Sequence, residues 1–164
     1  AKKAASIHFD EAAFAFRHGM LKSLHRLEVL NEHWPDLLLE TEAILYMNGT
    51  GHYKKACRAF LDDKVQIQLE QLLVYFISTY FCGAVYDGEA LAKAQMSAVC
   101  TGQIFDLWLA RYIENENAIS EEEKIELLYR YSREIEHSDE NLKMIEEIMA
   151  GHKVPWLHNR VESK

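Results

Sequence analysis

The chain has 164 residues, 49% of them hydrophobic and 27% charged. This is the balance of one globular domain with a real core, and it excludes a disordered chain. Only seven glycines and two prolines are present, too few for the closely spaced turns of a many-stranded sandwich. The net charge of −8 disfavours nucleic acid, whose phosphates call for a basic surface.

Phe9–Leu30 reads as the first helix, with Phe14, Leu21, Leu24, Leu27 and Leu30 at three- and seven-residue spacing and Asp10 in the opening turn. Pro35 suits a first helical position, and Asp36–Met47 continues as a helix until Asn48-Gly-Thr-Gly51 stops it. Tyr53–Leu61 is a short helix. Val65–Phe81 is the most apolar segment. Leu69, Leu72, Leu73, Phe76, Ile77 and Tyr80 cover more than half its circumference, so it is expected to be the central, most buried helix.

Gly83 and Gly88 bracket a break, and Glu89–Asn115 follows with Leu91, Ala94, Ala98, Thr101, Phe105, Trp108 and Tyr112 as a packing seam. Small residues in its middle invite a close helix approach. After a polar loop, Ser120-Glu-Glu-Glu123 fits a capping box for a helix whose expected buried stripe is Ile125, Leu128, Tyr131 and Ile135. Ser138 caps a last helix, Asp139–Met149, closed by Gly151. The expected fold is all-α: a single-domain bundle of about seven helices over 1–151, then a flexible tail over 152–164.

The acidity is local. Residues 114–148 hold 12 acids and 4 bases. Cys57, Cys82 and Cys100 form no Cys-x-x-Cys pair and read as free thiols in a reducing, cytoplasmic setting. The longest uncharged run, Gln71–Tyr86, has 16 residues, short of a membrane span. One Glu134-x-x-His137 pair is half of what a di-iron bundle needs, so no metal is expected in this chain.

A charge at the start of the greasiest helix is costly unless paired. Glu70 is therefore expected to meet Arg133 or His137, in a polar cluster with Ser132 and Glu136. Arg, Glu and His at one helix end can pin helices together or position a proton transfer.

Two stretches carry a resemblance: Gln66–Gly88, and Tyr129-Arg-Tyr-Ser-Arg-Glu-Ile-Glu-His-Ser138. With His8–Tyr46, which includes Leu27-Glu-Val-Leu-Asn31 and Trp34-Pro35, they resemble the C-terminal part of bacterial flagellin lysine-N-methylase-like proteins. The family's Leu-Glu-Asn-Tyr motif stands here as Leu69-Glu70-Gln71-Leu72, and its Ser-Arg-x-x-Glu-His motif is met by Ser132, Arg133, Glu136 and His137.

The resemblance implies a helical C-terminal domain of a protein-lysine methyltransferase. Flagellin is the implied substrate and S-adenosylmethionine the implied methyl donor. An iron–sulfur or metal centre is implied in an upstream cysteine-rich domain, so this chain contributes substrate or partner binding and is not catalytically complete alone. The alternative is a non-enzymatic helical interaction domain, such as a homodimerisation unit. Neither reading involves a membrane.

Overall fold

The computed structural model describes residues 11–151. Among them lie seven helices of twelve or more residues and no strand: α1 (Glu11–Ser23), α2 (Trp34–Tyr46), α3 (Gly49–Phe60), α4 (Asp63–Tyr80), α6 (Ala90–Glu114), α7 (Glu121–Ile135) and α8 (Asp139–Gly151). A single-turn α5 (Ala84–Asp87) interrupts the link from α4 to α6. The all-α expectation holds. The tail from 152 and the opening residues Phe9 and Asp10 lie outside the described residues.

Local chemistry sets the ends. Asp62 accepts from the Val65 amide at 2.8 Å and starts α4. At α7 the expected capping box is formed: Ser120 Oγ accepts from the Glu123 amide (3.2 Å), and the Glu123 carboxylate accepts from the Ser120 amide (2.8 Å). Ser138 Oγ accepts from the Asn141 amide at 3.2 Å and starts α8. Gly49, at φ +76°, does not stop α2 but opens α3 at once. Only a turn at Met47–Asn48 separates the two helices, so α3 begins earlier than expected.

α1 ends at Ser23, followed by a 3-10 turn over Leu24–Arg26, and does not run to Leu30. The reason is tertiary. The chain turns extended at Leu27, and the next amides are taken by α7 and α8: Glu28 N–H donates to Asn141 Oδ1 (2.8 Å) and Leu30 N–H to Glu134 Oε2 (2.9 Å). Asn141 Nδ2 also donates to the carbonyls of Glu28 (2.9 Å) and Glu134 (2.7 Å).

The centre of the bundle is α6, not α4. Helix α6 meets α4, α2, α8, α7, α1 and α3 and buries fifteen of its 25 residues. Helix α4, expected at the centre, buries only Val65 and Phe76. It packs one side on α6 and leaves Ile67, Val74, Tyr75 and Ile77 exposed. Apolar residues nearly all round α4 show that faces can be covered, but α6 covers only one.

Two finer expectations also change. Ile125 is 65% exposed and Leu128 half-buried, while α7 buries Lys124, Leu127, Tyr131, Glu134 and Ile135. The helix is turned inward by partners for its polar groups. Lys124 Nζ donates to Gln68 Oε1 (2.9 Å) and Glu121 Oε1 (3.1 Å) and lies over the Trp108 ring (5.6 Å). On α6, Leu91 is exposed, and the small-residue middle receives an arginine: Arg17 Nη2 donates to the Gly102 carbonyl at 2.7 Å. A Cβ at Gly102 would sit 3.3 Å from Arg17 Nη1.

Candidate functional site

Helices α4 and α7 run parallel, because side chains join start to start and end to end. At one end Gln68 Nε2 donates to Glu121 Oε2 (2.6 Å) and Lys64 Nζ pairs with Glu121 (2.9 Å). At the other, the hydroxyls of Tyr75 and Tyr80 both donate to Glu136 Oε1 at 2.9 Å. Between these bridges half-buried Leu72 and Leu128 pack against the core, while Ile125 and Tyr129 of α7 are exposed. By helical register, Ile125, Tyr129 and Glu136 share one side of α7.

The expected cluster is brought together in part. Ser132, Arg133, Glu136 and His137 occupy the end of α7. The Ser132 carbonyl accepts from the amides of Glu136 (2.8 Å) and His137 (3.3 Å), closing the helix. The Arg133 guanidinium is exposed and stacks over the Tyr129 ring at 5.7 Å. Glu136 is half-buried, and only its Oε1 is engaged by the two tyrosines.

Glu70 does not join them. It is exposed and lies five residues, about 140° of helix, from Tyr75, which marks the α7 side. Among the described residues it forms no ion pair with Arg133 or His137. An exposed carboxylate stays hydrated, so the cost that was to force pairing never arises.

Glu134 and His137 also part: Glu134 is buried and His137 is exposed. Glu134 Oε2 accepts from the Leu30 amide, while its Oε1 is buried with no hydrogen-bond partner among the described residues.

A second polar group lies inside the bundle. Asp106, buried on α6, accepts from Arg17 Nη2 (2.6 Å), Tyr46 OH (2.6 Å) and Tyr53 OH (2.7 Å). Burial opposes the Arg17 charge, yet Asp106 beside it leaves its pKa raised overall. Burial, then Asp106, pushes the Tyr46 phenol up. Nearby, His18 stacks on Tyr46 (4.5 Å) and its Nε2 meets Glu42 Oε1 at 2.6 Å, with Lys22 Nζ at 3.3 Å. Sequence reading found neither group. The available signal for the first was Asp106 itself, a charge inside the apolar run Ile104–Ala110 that has to be paired.

Burial pushes the Cys57 thiol up to about 11 and Cys100 to about 12, so both stay protonated and weakly nucleophilic at neutral pH. The Tyr75 and Tyr80 phenols are pushed up by burial and then by Glu136. Two small pockets, of about 20 and 10 Å³, open beside Arg17 and beside Thr41. Each is the size of a single water site. No described helix is long and apolar enough to cross a membrane. The α4–α7 face presents aromatic rings, aliphatic side chains and the carboxylates of Glu121 and Glu136.

Comparison with known proteins adds a family. A family model described as the FliB lysine N-methylase C-terminal domain matches residues 2–156. No curated protein and no solved structure matches the chain.

Proposed function

The chain belongs to the FliB lysine N-methylase C-terminal domain family, and from that premise we propose that it is the protein-docking part of a flagellin lysine N-methylase. It seats the protein substrate on the exposed α4–α7 face and leaves methyl transfer to the rest of the enzyme. The observation that carries this reading is an exposed surface: Ile125 and Tyr129, beside Tyr75 hydrogen-bonded to half-buried Glu136, leave large apolar and aromatic side chains open to solvent on the α7 side. Large apolar side chains gathered at the surface beside a polar anchor mark a protein contact.

A methyl donor and any metal centre belong, on this reading, to the upstream part of the enzyme. Within this domain the role is placement. A substrate bound through remote contacts has its lysine presented at a fixed distance from the methyl group, and such positioning lowers the barrier to transfer.

The test is steady-state methylation of flagellin by the whole enzyme carrying Tyr129→Ala together with Ile125→Asp. Loss of a docking contact raises KM for flagellin on the order of tenfold or more with kcat largely kept. An unchanged KM, or a loss confined to kcat, would contradict docking at this face.

A further inference from the structure

We propose that Glu136 seats a lysine side chain of the docked protein, its Oε2 accepting from the lysine ammonium. This deepens the docking role proposed above and rests on it.

Five acidic residues are half-buried among the described residues: Glu42, Glu121, Glu123, Glu136 and Glu146. Four of them have a basic partner within the chain. Glu42 meets His18 at 2.6 Å and Lys22 at 3.3 Å, Glu121 meets Lys64 at 2.9 Å, Glu123 meets Arg111 at 4.0 Å, and Glu146 meets Lys93 at 2.5 Å. Glu136 has no such partner among the described residues, and two neutral phenols reach it instead. A partly desolvated carboxylate without a counter-charge favours the approach of a cation from outside.

The chain's own cations nearby are turned elsewhere. Arg133 stands three residues before Glu136, a spacing at which Arg111 and Glu114 do pair, at 2.9 Å. It lies instead over the Tyr129 ring at 5.7 Å. His137 is exposed and forms no ion pair among the described residues.

The two carboxylate oxygens differ. Oε1 accepts from Tyr75 OH and Tyr80 OH, both at 2.9 Å, which engages both of its lone pairs. Among the described residues the only enclosed side-chain oxygen without a partner is Glu134 Oε1. Glu136 Oε2, which also has none, is therefore open to solvent. One oxygen fixed by two donors orients the group, and the other is left to bind. That selects an ammonium over a guanidinium, whose planar fork is matched by two free oxygens. A lysine held in this way keeps its proton, because a neighbouring carboxylate favours the charged form. It is a docking lysine and not the methyl acceptor, which has to be deprotonated to attack.

Binding of monomeric flagellin to the whole enzyme, followed by isothermal titration calorimetry, tests the assignment with Glu136→Gln. The glutamine Oε1 still accepts from both tyrosines while the charge is gone, so the variant folds, as an unchanged melting temperature will show. Its dissociation constant for native flagellin is expected to rise on the order of tenfold. For flagellin acetylated on its lysines, whose arginines are intact, the same substitution should change the constant by less than about twofold. An unchanged constant for native flagellin overturns the assignment. So does a tenfold loss that persists with acetylated flagellin, which would assign the site to an arginine or make Glu136 a structural residue. If Tyr129→Ala with Ile125→Asp weakens binding while Glu136→Gln does not, this contact fails alone. If neither weakens it, the docking reading fails with it.

Discussion

Helices α6 and α4 are the two longest in the domain, and their composition misleads about which lies inside. Helix α6 contains Lys93, Gln95, Ser97, Gln103 and Asp106, all buried. Helix α4 has a 16-residue uncharged run beginning at Gln71 and continuing past its end, yet it buries two side chains. The difference lies in how polar groups are satisfied. On α6, Gln103 donates to the Met20 carbonyl (2.9 Å) and accepts from Tyr131 OH (2.6 Å), Asp106 takes three side-chain donors, and Ser97 Oγ donates to the Lys93 carbonyl (2.9 Å). Buried polar groups with partners specify one arrangement of neighbours. An apolar face without a neighbour is instead a surface available to another protein.

Substitutions on the two helices and their partners should therefore differ sharply. The largest effect is expected at Asp106→Ala. It leaves Arg17 mostly buried without its carboxylate, a loss of about 3–5 kcal/mol, or on the order of 10 °C in melting temperature for a domain of this size. Thermal unfolding followed by circular dichroism measures it, and a near-normal melting temperature would remove Asp106 from the centre of the account. Tyr131→Phe comes next. It strips Gln103 Oε1 of its buried donor, and urea denaturation should show a loss of about 1–2 kcal/mol.

Acid should act more weakly, and at the α4–α7 bridge. Lys64 first, then Lys124, hold the Glu121 carboxyl down to about 2. A depressed carboxylate pKa gives stability that is present above the ordinary carboxylate range and is lost as pH falls through the folded value. The loss therefore runs from roughly pH 4.5 down to pH 2. Glu121 is 44% exposed, so the whole effect stays below about 1 kcal/mol. Glu121→Gln should flatten that part of the stability–pH curve, and an unchanged slope would show that the bridge is not formed in solution.

The smallest change is expected at Arg133→Ala. With Glu70 on the far side of α4, Arg133 secures no buried charge, and stability should move by no more than about 0.5 kcal/mol. A sharp fall in melting temperature would restore the structural role that the sequence pattern assigned to it.

Most helices were legible in the sequence because their signals are local. The Ser120–Glu123 box and the Ser138 cap lie within four residues of the atoms they satisfy, and the apolar spacing marks helix bodies. What could not be read depends on distant partners. Asp106 is 89 residues from Arg17, and the break of α1 at Ser23 depends on Glu134 and Asn141, more than 100 residues away. Glu136 was legible as a polar group at a helix end, but its partners Tyr75 and Tyr80 were hidden in a run that reads as core. A tyrosine in such a run is a hint in itself, since its hydroxyl has to reach a partner or water. The position of α4 was misread for a related reason: apolar residues record that a surface is to be covered, not which molecule covers it.

Hydrogen–deuterium exchange of the whole enzyme, with and without flagellin, tests the central claim most directly. The account predicts slower exchange on binding in residues 68–75 of α4 and 121–136 of α7, with residues 96–110 of α6 unchanged because that helix is already buried in the free domain. Unchanged exchange across α4 and α7 under conditions where flagellin is bound would contradict it.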